Sequence, residues 1–297
     1  MTTRPTLGAL APAMVTPMST DGTLDLDSTA RLARHLVDGG CDTILVSGTT
    51  GESPTTHRPE KEILIETVRA AIGPDVCILA GAGSNDTVHA QAMAASAQEA
   101  GADALLVVSP YYNRPSQRGL VAHVKAVVES SDLPVVLYDI PGRTGLAFSD
   151  EALDELAQLD QVVAVKDATG DVVRGAARAE RTGLDYYSGD DALNYSWLAH
   201  GAQGLISVVA HVIPGRYRDM IDAGEAGDYA RARAISTEVR PVVEAIMGGG
   251  QGAVMAKHAL AMMGIIATPT VRLPLVEATP QELSALEVAL TNAGLLG

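Results

Sequence analysis

Apolar and amphipathic segments alternate along the first 225 residues of the chain. The apolar segments are short, rich in valine, isoleucine and leucine, and nearly continuous, which is typical of strands buried on both faces of a sheet. Helical patterns follow them, as at 27–40, 60–73 and 91–103, and this alternation indicates parallel pairing. The predicted strands are 7–15, 43–48, 77–83, 104–110, 134–141, 162–168, 185–189 and 204–209.

Eight such units predict an α/β fold of the (β/α)8 TIM barrel type. A doubly wound sheet is the competing architecture, and it normally carries a G-x-G-x-x-G turn after its first strand. Here the first predicted strand continues into VTPMSTDG at 15–22, and GAGSND at 81–86 is only an imperfect glycine turn. The pattern therefore favours the barrel.

The strand pattern stops after residue 225, and three helical segments follow at 227–247, 252–264 and 279–294. The last segment opens with Thr279 as the N-cap and Glu282 three residues later, which is the pattern of a capping box. We therefore predict two domains. Residues 1–225 form a catalytic barrel, and residues 226–297 form a C-terminal three-helix extension.

The charge of the chain limits its partners. Its 21 lysines and arginines against 36 aspartates and glutamates give a net charge of −15. Without a basic cluster, neither nucleic acid nor an anionic membrane is an expected partner. No apolar run approaches the roughly 18 residues of a membrane span.

The expected location is the cytoplasm. Cys41 and Cys77 lie in apolar contexts and are expected to be buried thiols in a reducing compartment. The N-terminal LGALAPA at 7–13 faintly resembles a signal-peptide cleavage region. Its apolar stretch is short and broken by Pro12, so a first strand is the better interpretation.

Functional groups of a barrel gather at the C-terminal ends of its strands. Hydroxyl groups, an arginine and one lysine should therefore meet on one rim. Lys166 directly follows four apolar residues, so it is either a solvated strand end or a desolvated amine. A desolvated amine has a lowered pKa and can attack a carbonyl. The residues at the strand ends are Thr16 and the loops 48–53, 109–117, 138–145, 166–171 and 188–191.

Three of these loops admit other interpretations. GTTGES at 48–53 could bind phosphate but lacks the P-loop lysine, and DATGD at 167–171 resembles an aspartyl-phosphate motif without its following lysine. GDD at 189–191 could bind a metal through its carboxylates, although a polar turn is the commoner explanation. The histidines lack zinc-site spacing, so we expect no metal site.

A lysine nucleophile needs a proton shuttle and anchors for its substrate. Tyr138 ends strand five beside strand six and suits the shuttle. Thr49–Thr50 offer neutral donors to one acid group, and Arg143 offers a bidentate fork to a second. Lys125 and Lys257 lie in helical patterns and are expected to be solvated or structural.

The motifs GTTGES, SPYYNRPSQRGL, YDIPGRTG, VVAVKDATGD and GLISVV occur in this order, and RLPL follows at 272–275. Together they resemble the dihydrodipicolinate synthases of the N-acetylneuraminate lyase superfamily, from about Gly8 to the C-terminal helices. The resemblance implies a Schiff-base aldolase without a cofactor, in which Lys166 forms an imine with pyruvate. The derived enamine would attack L-aspartate 4-semialdehyde to give 4-hydroxy-tetrahydrodipicolinate, which commits carbon to diaminopimelate and lysine.

The resemblance also implies roles for other residues. Thr49, Tyr138 and Tyr112 match the proton-relay triad of the family, with Tyr112 reaching into the site of a neighbouring subunit. The implied assembly is a homotetramer made of two tight dimers. Substrate-binding positions are matched by Thr50 at the pyruvate carboxylate, Arg143 at the semialdehyde carboxylate, and Gly189 and Ile206, whose backbone lines the pocket.

Two other functions remain open at this point. One is a sister lyase or aldolase that acts on a sugar-acid aldehyde, because the sequence alone does not fix the second substrate. The other is a non-catalytic barrel that senses a metabolite. The intact set of lysine, tyrosines, threonines and arginine disfavours the sensor.

Many members of the family are inhibited by lysine at the tight-dimer interface, where a glutamate accompanies an asparagine. Asn85 is kept here, but His89 occupies the glutamate position, and Arg58 and Lys61 match histidines of sensitive members. Arg58 and Lys61 are either solvated residues that open the second helix or permanent positive charges in the site. Both interpretations predict weak or absent inhibition by lysine.

Overall fold

The computed structural model describes residues 7–296, and eight parallel strands form its centre. From the second to the eighth, each strand pairs with its sequence neighbour, and the first strand pairs with the eighth. A bridge from Ala13 to Leu45 closes the barrel between the first and second strands. This confirms the predicted TIM barrel, although each of the eight strands is shorter than the apolar segment that predicted it. The strands are β1 (Leu10–Pro12), β2 (Thr43–Val46), β3 (Cys77–Gly81), β4 (Ala104–Val108), β5 (Val135–Asp139), β6 (Val162–Asp167), β7 (Asp185–Ser188) and β8 (Gly204–Ser207).

Helices cover the outside of the barrel, and many begin at a side chain that accepts a hydrogen bond from the first turn. Asp25, Asp86 and Ser116 cap the helices that follow them in this way. The helices are α1 (Leu26–Asp38), α2 (Arg58–Ile72), α3 (Thr87–Glu99), α4 (Gln117–Val128), α5 (Pro141–Thr144), α6 (Asp150–Leu156), α7 (Val172–Thr182), α8 (Asn194–Ala199), α9 (Pro214–Glu225), α10 (Tyr229–Val243), α11 (Gly252–Met262) and α12 (Pro280–Asn292).

Successive side chains of each strand point to opposite faces of the sheet, which produces two apolar layers. Leu45, Leu79 and Leu106 point into the lumen, whereas the adjacent Ile44 and Ile78 point outward to the helices. Because both faces of the sheet are buried, the strand sequences are nearly continuous runs of apolar residues.

The three predicted C-terminal helices are present as α10, α11 and α12. Thr279 and Glu282 form the predicted capping box at the start of α12. Residues 252–260 of α11 are all buried, which makes this helix the central element of the extension. The division of the chain into two domains at 225/226 stays a prediction, and that position falls between the end of α9 and the start of α10.

Both cysteines are buried free thiols, as predicted. Burial raises the pKa of each thiol to about 12, so neither is a thiolate at neutral pH. Within residues 7–296, no helix has the length and apolar character that crossing a membrane requires.

Candidate active site

The central groups of the site lie side by side on three adjacent strands. The register of β5 and β6 sets Tyr138 opposite Lys166, and the register of β6 and β7 sets Lys166 opposite Tyr187. Tyr138 and Tyr187 both belong to the lumen cluster. Since Lys166 holds the same register position, its side chain lies on the lumen side of the sheet, near the C-terminal ends of the strands.

Lys166 has the properties of a nucleophilic amine. The residue is 5% exposed, and its pKa is lowered to about 7, chiefly by burial, with Asp191 opposing and Arg143 reinforcing the shift. At pH 7 roughly half of such an amine is neutral, compared with roughly one part in three thousand at an ordinary lysine pKa. The structure thus favours the desolvated amine over the solvated strand end.

Tyr138 lies within reach of this amine. The Nζ atom of Lys166 is 4.3 Å from the centroid of the Tyr138 ring. Burial raises the pKa of Tyr138 to about 12. The charge of Arg143 opposes this shift, and the charge of Asp190 adds to it. The phenol is therefore protonated at neutral pH and can donate a proton beside the amine.

A cavity of about 520 Å³ opens above these residues. Its lining includes Thr49, Tyr138, Arg143, Arg58 and His89. No aspartate or glutamate of the described residues contributes to the lining, although the chain carries a net charge of −15. The cavity is therefore suited to anionic ligands. Lys166 does not line it and lies against the Tyr138 ring instead.

The loop 48–53 brings two hydroxyl groups to the cavity region. Thr49 lines the large cavity, and both Thr49 and Thr50 line an adjacent cavity of about 170 Å³. Thr16, a predicted rim residue, donates from its hydroxyl to the carbonyl of Gly51 at 2.7 Å. Gly81 at the end of β3 makes room for the loop, because a Cβ there would lie 2.1 Å from the Ser47 carbonyl oxygen.

Arg143 supplies a cation at the mouth of the site. It lies on the short helix α5, is exposed, and lines both cavities. Among residues 7–296 it has no carboxylate within 4.0 Å, the distance limit for an ion pair. Its guanidinium is thus available to a ligand carboxylate.

Gly189 lies beside Lys166, and Ile206 lies in the lumen of the barrel. A Cβ on Gly189 would lie 3.1 Å from Lys166 Cγ and 3.0 Å from the Asp167 carbonyl oxygen, so a side chain there would crowd the lysine. Ile206 is 3% exposed and belongs to the lumen cluster. Neither residue lines the two cavities described above.

The GDD sequence forms a polar turn between β7 and α8. Asp191 accepts hydrogen bonds from the backbone N–H groups of Val208 and Val209 at 2.8 and 3.1 Å, from Asn194 at 3.1 Å, and from the Ser207 hydroxyl. These four donors account for the buried carboxylate and agree with the polar-turn interpretation.

Tyr112 is not brought into the site of its own chain. It lies in the loop after β4 with φ of 73° and is 89% exposed. It borders an outer depression with Arg114 and Arg143, whereas the neighbouring Tyr111 lines the large cavity. A role for Tyr112 in catalysis requires a second chain.

The position of Lys61 contradicts both interpretations from the sequence, which were a solvated residue and a positive charge in the site. It is 6% exposed, so it is not solvated, and it does not line the large cavity. Its ammonium donates to the carbonyls of Ser53 and Thr56 at 2.7 and 2.9 Å beneath the loop, and burial lowers its pKa to about 8. Arg58 is exposed, lines the cavity and pairs with Glu62 at 3.5 Å.

Two further lysines have structural or solvated positions, as predicted. Lys125 pairs with Glu155 at 2.6 Å on the surface of the barrel. Lys257 is fully buried and pairs with Glu52 of the GTTGES loop. Sequence reasoning missed Glu52, because the loop was interpreted through its threonines and glycines and no local pattern marks a partner 205 residues away.

Comparison with known proteins extends the likeness over nearly the whole chain. A 4-hydroxy-tetrahydrodipicolinate synthase of Bifidobacterium longum (strain DJO10A) is 48% identical over 289 residues, which are 97% of this chain and 95% of the relative. A chloride-inhibited dihydrodipicolinate synthase from Acinetobacter baumannii, complexed with pyruvate, has a TM-score of 0.94 at 35% identity, covering 98% of this chain and 100% of its own.

A second structure is similar to the same extent. The enzyme of Cyanidioschyzon merolae with lysine bound has a TM-score of 0.93 at 37% identity, covering 98% of this chain and 99% of its own. The sequence model of the Dihydrodipicolinate synthetase family matches residues 6–293. The motifs, the barrel and these comparisons agree, and the chain belongs to the dihydrodipicolinate synthetase family.

Proposed function

We propose that the chain condenses pyruvate with L-aspartate 4-semialdehyde to 4-hydroxy-tetrahydrodipicolinate, the first committed step of diaminopimelate and lysine synthesis. One observation carries the proposal. A buried lysine with a pKa of about 7 lies 4.3 Å from the ring of a protonated tyrosine, at the C-terminal end of a barrel. The enzyme would be a cytoplasmic lyase, and its covalent imine would make a cofactor unnecessary.

In the proposed reaction the neutral amine of Lys166 attacks the ketone carbon of pyruvate. Tyr138, with Thr49 and a neighbour's Tyr112, passes the protons that convert the carbinolamine to the imine with loss of water. Removal of a proton from the pyruvate methyl group gives an enamine, which forms a carbon–carbon bond to the aldehyde. The amino group of the semialdehyde then displaces Lys166, so the ring closes and the free amine is regenerated.

The two substrate carboxylates have separate partners in this scheme. Thr50, with the backbone of its loop, would bind the pyruvate carboxylate through neutral donors, and Arg143 would bind the carboxylate of the semialdehyde. Gly189 and Ile206 would contribute backbone groups that border the pyruvate. Arg143 lines the cavity of about 520 Å³, to which no acidic side chain of the described residues contributes, and this supports an anionic second substrate, because a carboxylate beside it would repel it.

The test of this function is pyruvate-dependent turnover against a panel of aldehydes. The proposal expects L-aspartate 4-semialdehyde to give the highest kcat/KM of the panel. A higher value for a sugar-acid aldehyde would assign the chain to the sister aldolases. No turnover with any aldehyde, in a protein that also forms no pyruvate imine, would support the sensor.

Replacing Arg143 by alanine should weaken binding of the semialdehyde selectively. Loss of a charge-assisted contact costs about 1.5–3 kcal/mol, which corresponds to roughly a ten- to hundredfold higher KM for the semialdehyde. Formation of the pyruvate imine should be unchanged. Arg118→Ala, at an exposed position of α4, is the matched control. Equal losses for both substrates would mean that Arg143 has a structural role.

Mixing two inactive variants should restore activity if Tyr112 acts across an interface. The proposed assembly is a homotetramer of two tight dimers, and the 89% exposure of Tyr112 fits a side chain that a second chain covers. A mixed dimer of Tyr112→Phe and Lys166→Ala subunits contains one site with an intact lysine and an intact tyrosine from the neighbour. No recovery after demonstrated subunit exchange would exclude this role.

Free lysine should be a weak inhibitor or none. Its two amino groups are cations, and they would meet the guanidinium of Arg58 in a cavity to which no acidic side chain of the described residues contributes. Like charges brought together in a binding site cost several kcal/mol. A lysine titration of the pure enzyme measures the effect, and half-inhibition at sub-millimolar lysine would contradict the expectation.

A further inference from the structure

A buried ion pair outside the proposed catalytic set joins the C-terminal helices to the GTTGES loop. The side chains of Lys257 on α11 and Glu52 in the loop are 0% and 1% exposed. The Lys257 ammonium donates to Glu52 Oε1 and to the Thr270 carbonyl at 2.7 Å. Two charges withdrawn from water are costly unless they are paired, so this contact ties the loop to the extension.

The second carboxylate oxygen of Glu52 is held by the segment that follows α11. Glu52 Oε2 accepts from the backbone N–H of Arg272 at 2.9 Å. The Arg272 guanidinium donates to the Thr55 carbonyl at 2.7 Å and to Glu60 Oε2 of α2 at 2.8 Å. We call Glu52, Lys257 and Arg272 the extension clamp.

The loop needs an external restraint for two reasons. Ser47 and Glu52, which flank Thr49 and Thr50, both have φ of 57°, a left-handed conformation that side chains other than glycine disfavour. Such conformations persist when the surrounding structure holds them. In addition, the cavity of about 170 Å³ separates Thr49 and Thr50 from the start of α11, so close packing does not fix the two threonines against the extension.

We infer that the extension clamp positions Thr49 and Thr50, with Lys257 acting through Glu52 as a positioning residue that does not touch the substrate. The C-terminal helices thereby contribute to catalysis as well as to folding. The inference rests on the proposed function, in which Thr50 binds the pyruvate carboxylate and Thr49 relays protons. Misplacement of a positioned group by about 1 Å can cost roughly a hundredfold in rate.

Lys257→Met tests the inference directly, because it removes the ammonium and keeps an unbranched side chain. The expected result is a kcat/KM for pyruvate at least about tenfold lower, measured well below the unfolding temperature, while saturating pyruvate and borohydride still modify Lys166. Lys125→Met, which removes the surface pair with Glu155, is the control and should retain the parent value. A lower unfolding temperature with unchanged kcat/KM would overturn the inference.

A second variant decides the question if Lys257→Met does not fold. Glu52→Gln/Lys257→Met leaves no buried charge without a partner, so it should fold. A folded double variant with kcat/KM for pyruvate lowered about tenfold supports the clamp, and one equal to the parent overturns it. Failure of the proposed function is distinguishable, because the parent enzyme itself would then lack pyruvate-dependent turnover.

Discussion

Lys166→Ala should abolish turnover, with a loss of at least about 10⁴-fold in kcat, the order found when a covalent nucleophile is removed. The reason is chemical, because Lys166 of β6 is the one lysine of residues 7–296 that lies against the Tyr138 ring of β5. Among residues 7–296, Lys61 is held beneath the loop and Lys257 is paired with Glu52, so neither can replace it. Steady-state turnover with pyruvate and L-aspartate 4-semialdehyde measures the loss.

A control separates this loss from unfolding. Burial lowers the pKa of Lys166 from 10.5 to about 7, so between these values the unfolded chain binds more protons than the folded one. Folding is therefore opposed by this group at neutral pH, and the opposition fades as the pH rises toward 10. Lys166→Met, which retains the chain length without the amine, should unfold at or above the parent temperature. Retained activity in folded Lys166→Ala would contradict the assignment.

Tyr138→Phe should lower kcat by roughly 10²- to 10⁴-fold, the usual contribution of general acid–base catalysis. Phenylalanine keeps the ring against Lys166 and removes only the hydroxyl that donates the proton. The pyruvate imine should still form, but more slowly. Rapid-mixing measurement of imine formation, followed by turnover with both substrates, gives the two rates.

Tyr187→Phe is the matched control for this variant. Tyr187 is the register neighbour of Lys166 on β7, and its hydroxyl donates to the Gly8 carbonyl at 2.9 Å, before the start of β1. Loss of that hydrogen bond should cost about 0.5–1.5 kcal/mol of folding free energy with little loss of turnover. Equal kinetic losses in the two variants would remove Tyr138 from the proton relay.

Much of the fold follows from local patterns. Apolar runs predicted all eight strands because both faces of the sheet are buried, and the capping box predicted the start of α12. The position of Lys166 at a strand end could also be predicted from the sequence, because a cation directly after four apolar residues is unusual. Its neighbours across the rim followed from the parallel order of the strands.

The remaining features depend on contacts between distant segments. Lys61 and Arg58 both lie in the first turn of α2. The Lys61 ammonium nevertheless donates hydrogen bonds to four oxygen atoms of Ser53 and Thr56 beneath the loop, whereas Arg58 lines the cavity. The left-handed backbone at Tyr112 and its orientation away from its own site have no sequence signal.

The sequence pattern also did not predict the partners of buried charged residues at strand ends. Asp139 ends β5 and contacts Arg178 of α7 at 3.5 Å, across 39 residues of chain. Burial raises the pKa of Asp139 to about 7, with Asp167 adding to the shift and Arg178 opposing it. A single sequence does not indicate which polar strand-end residue points into the lumen and which points outward to a helix.

The central claim is that pyruvate becomes covalently attached to the amine of Lys166. Incubation of the unmodified enzyme with pyruvate and borohydride, followed by peptide mapping in a mass spectrometer, tests this claim most directly, because reduction converts the imine to a stable amine. The account predicts one pyruvate-dependent adduct, on the peptide that contains Lys166. An adduct on Lys125 or Lys257 instead, or no adduct in an enzyme that turns over, would contradict it.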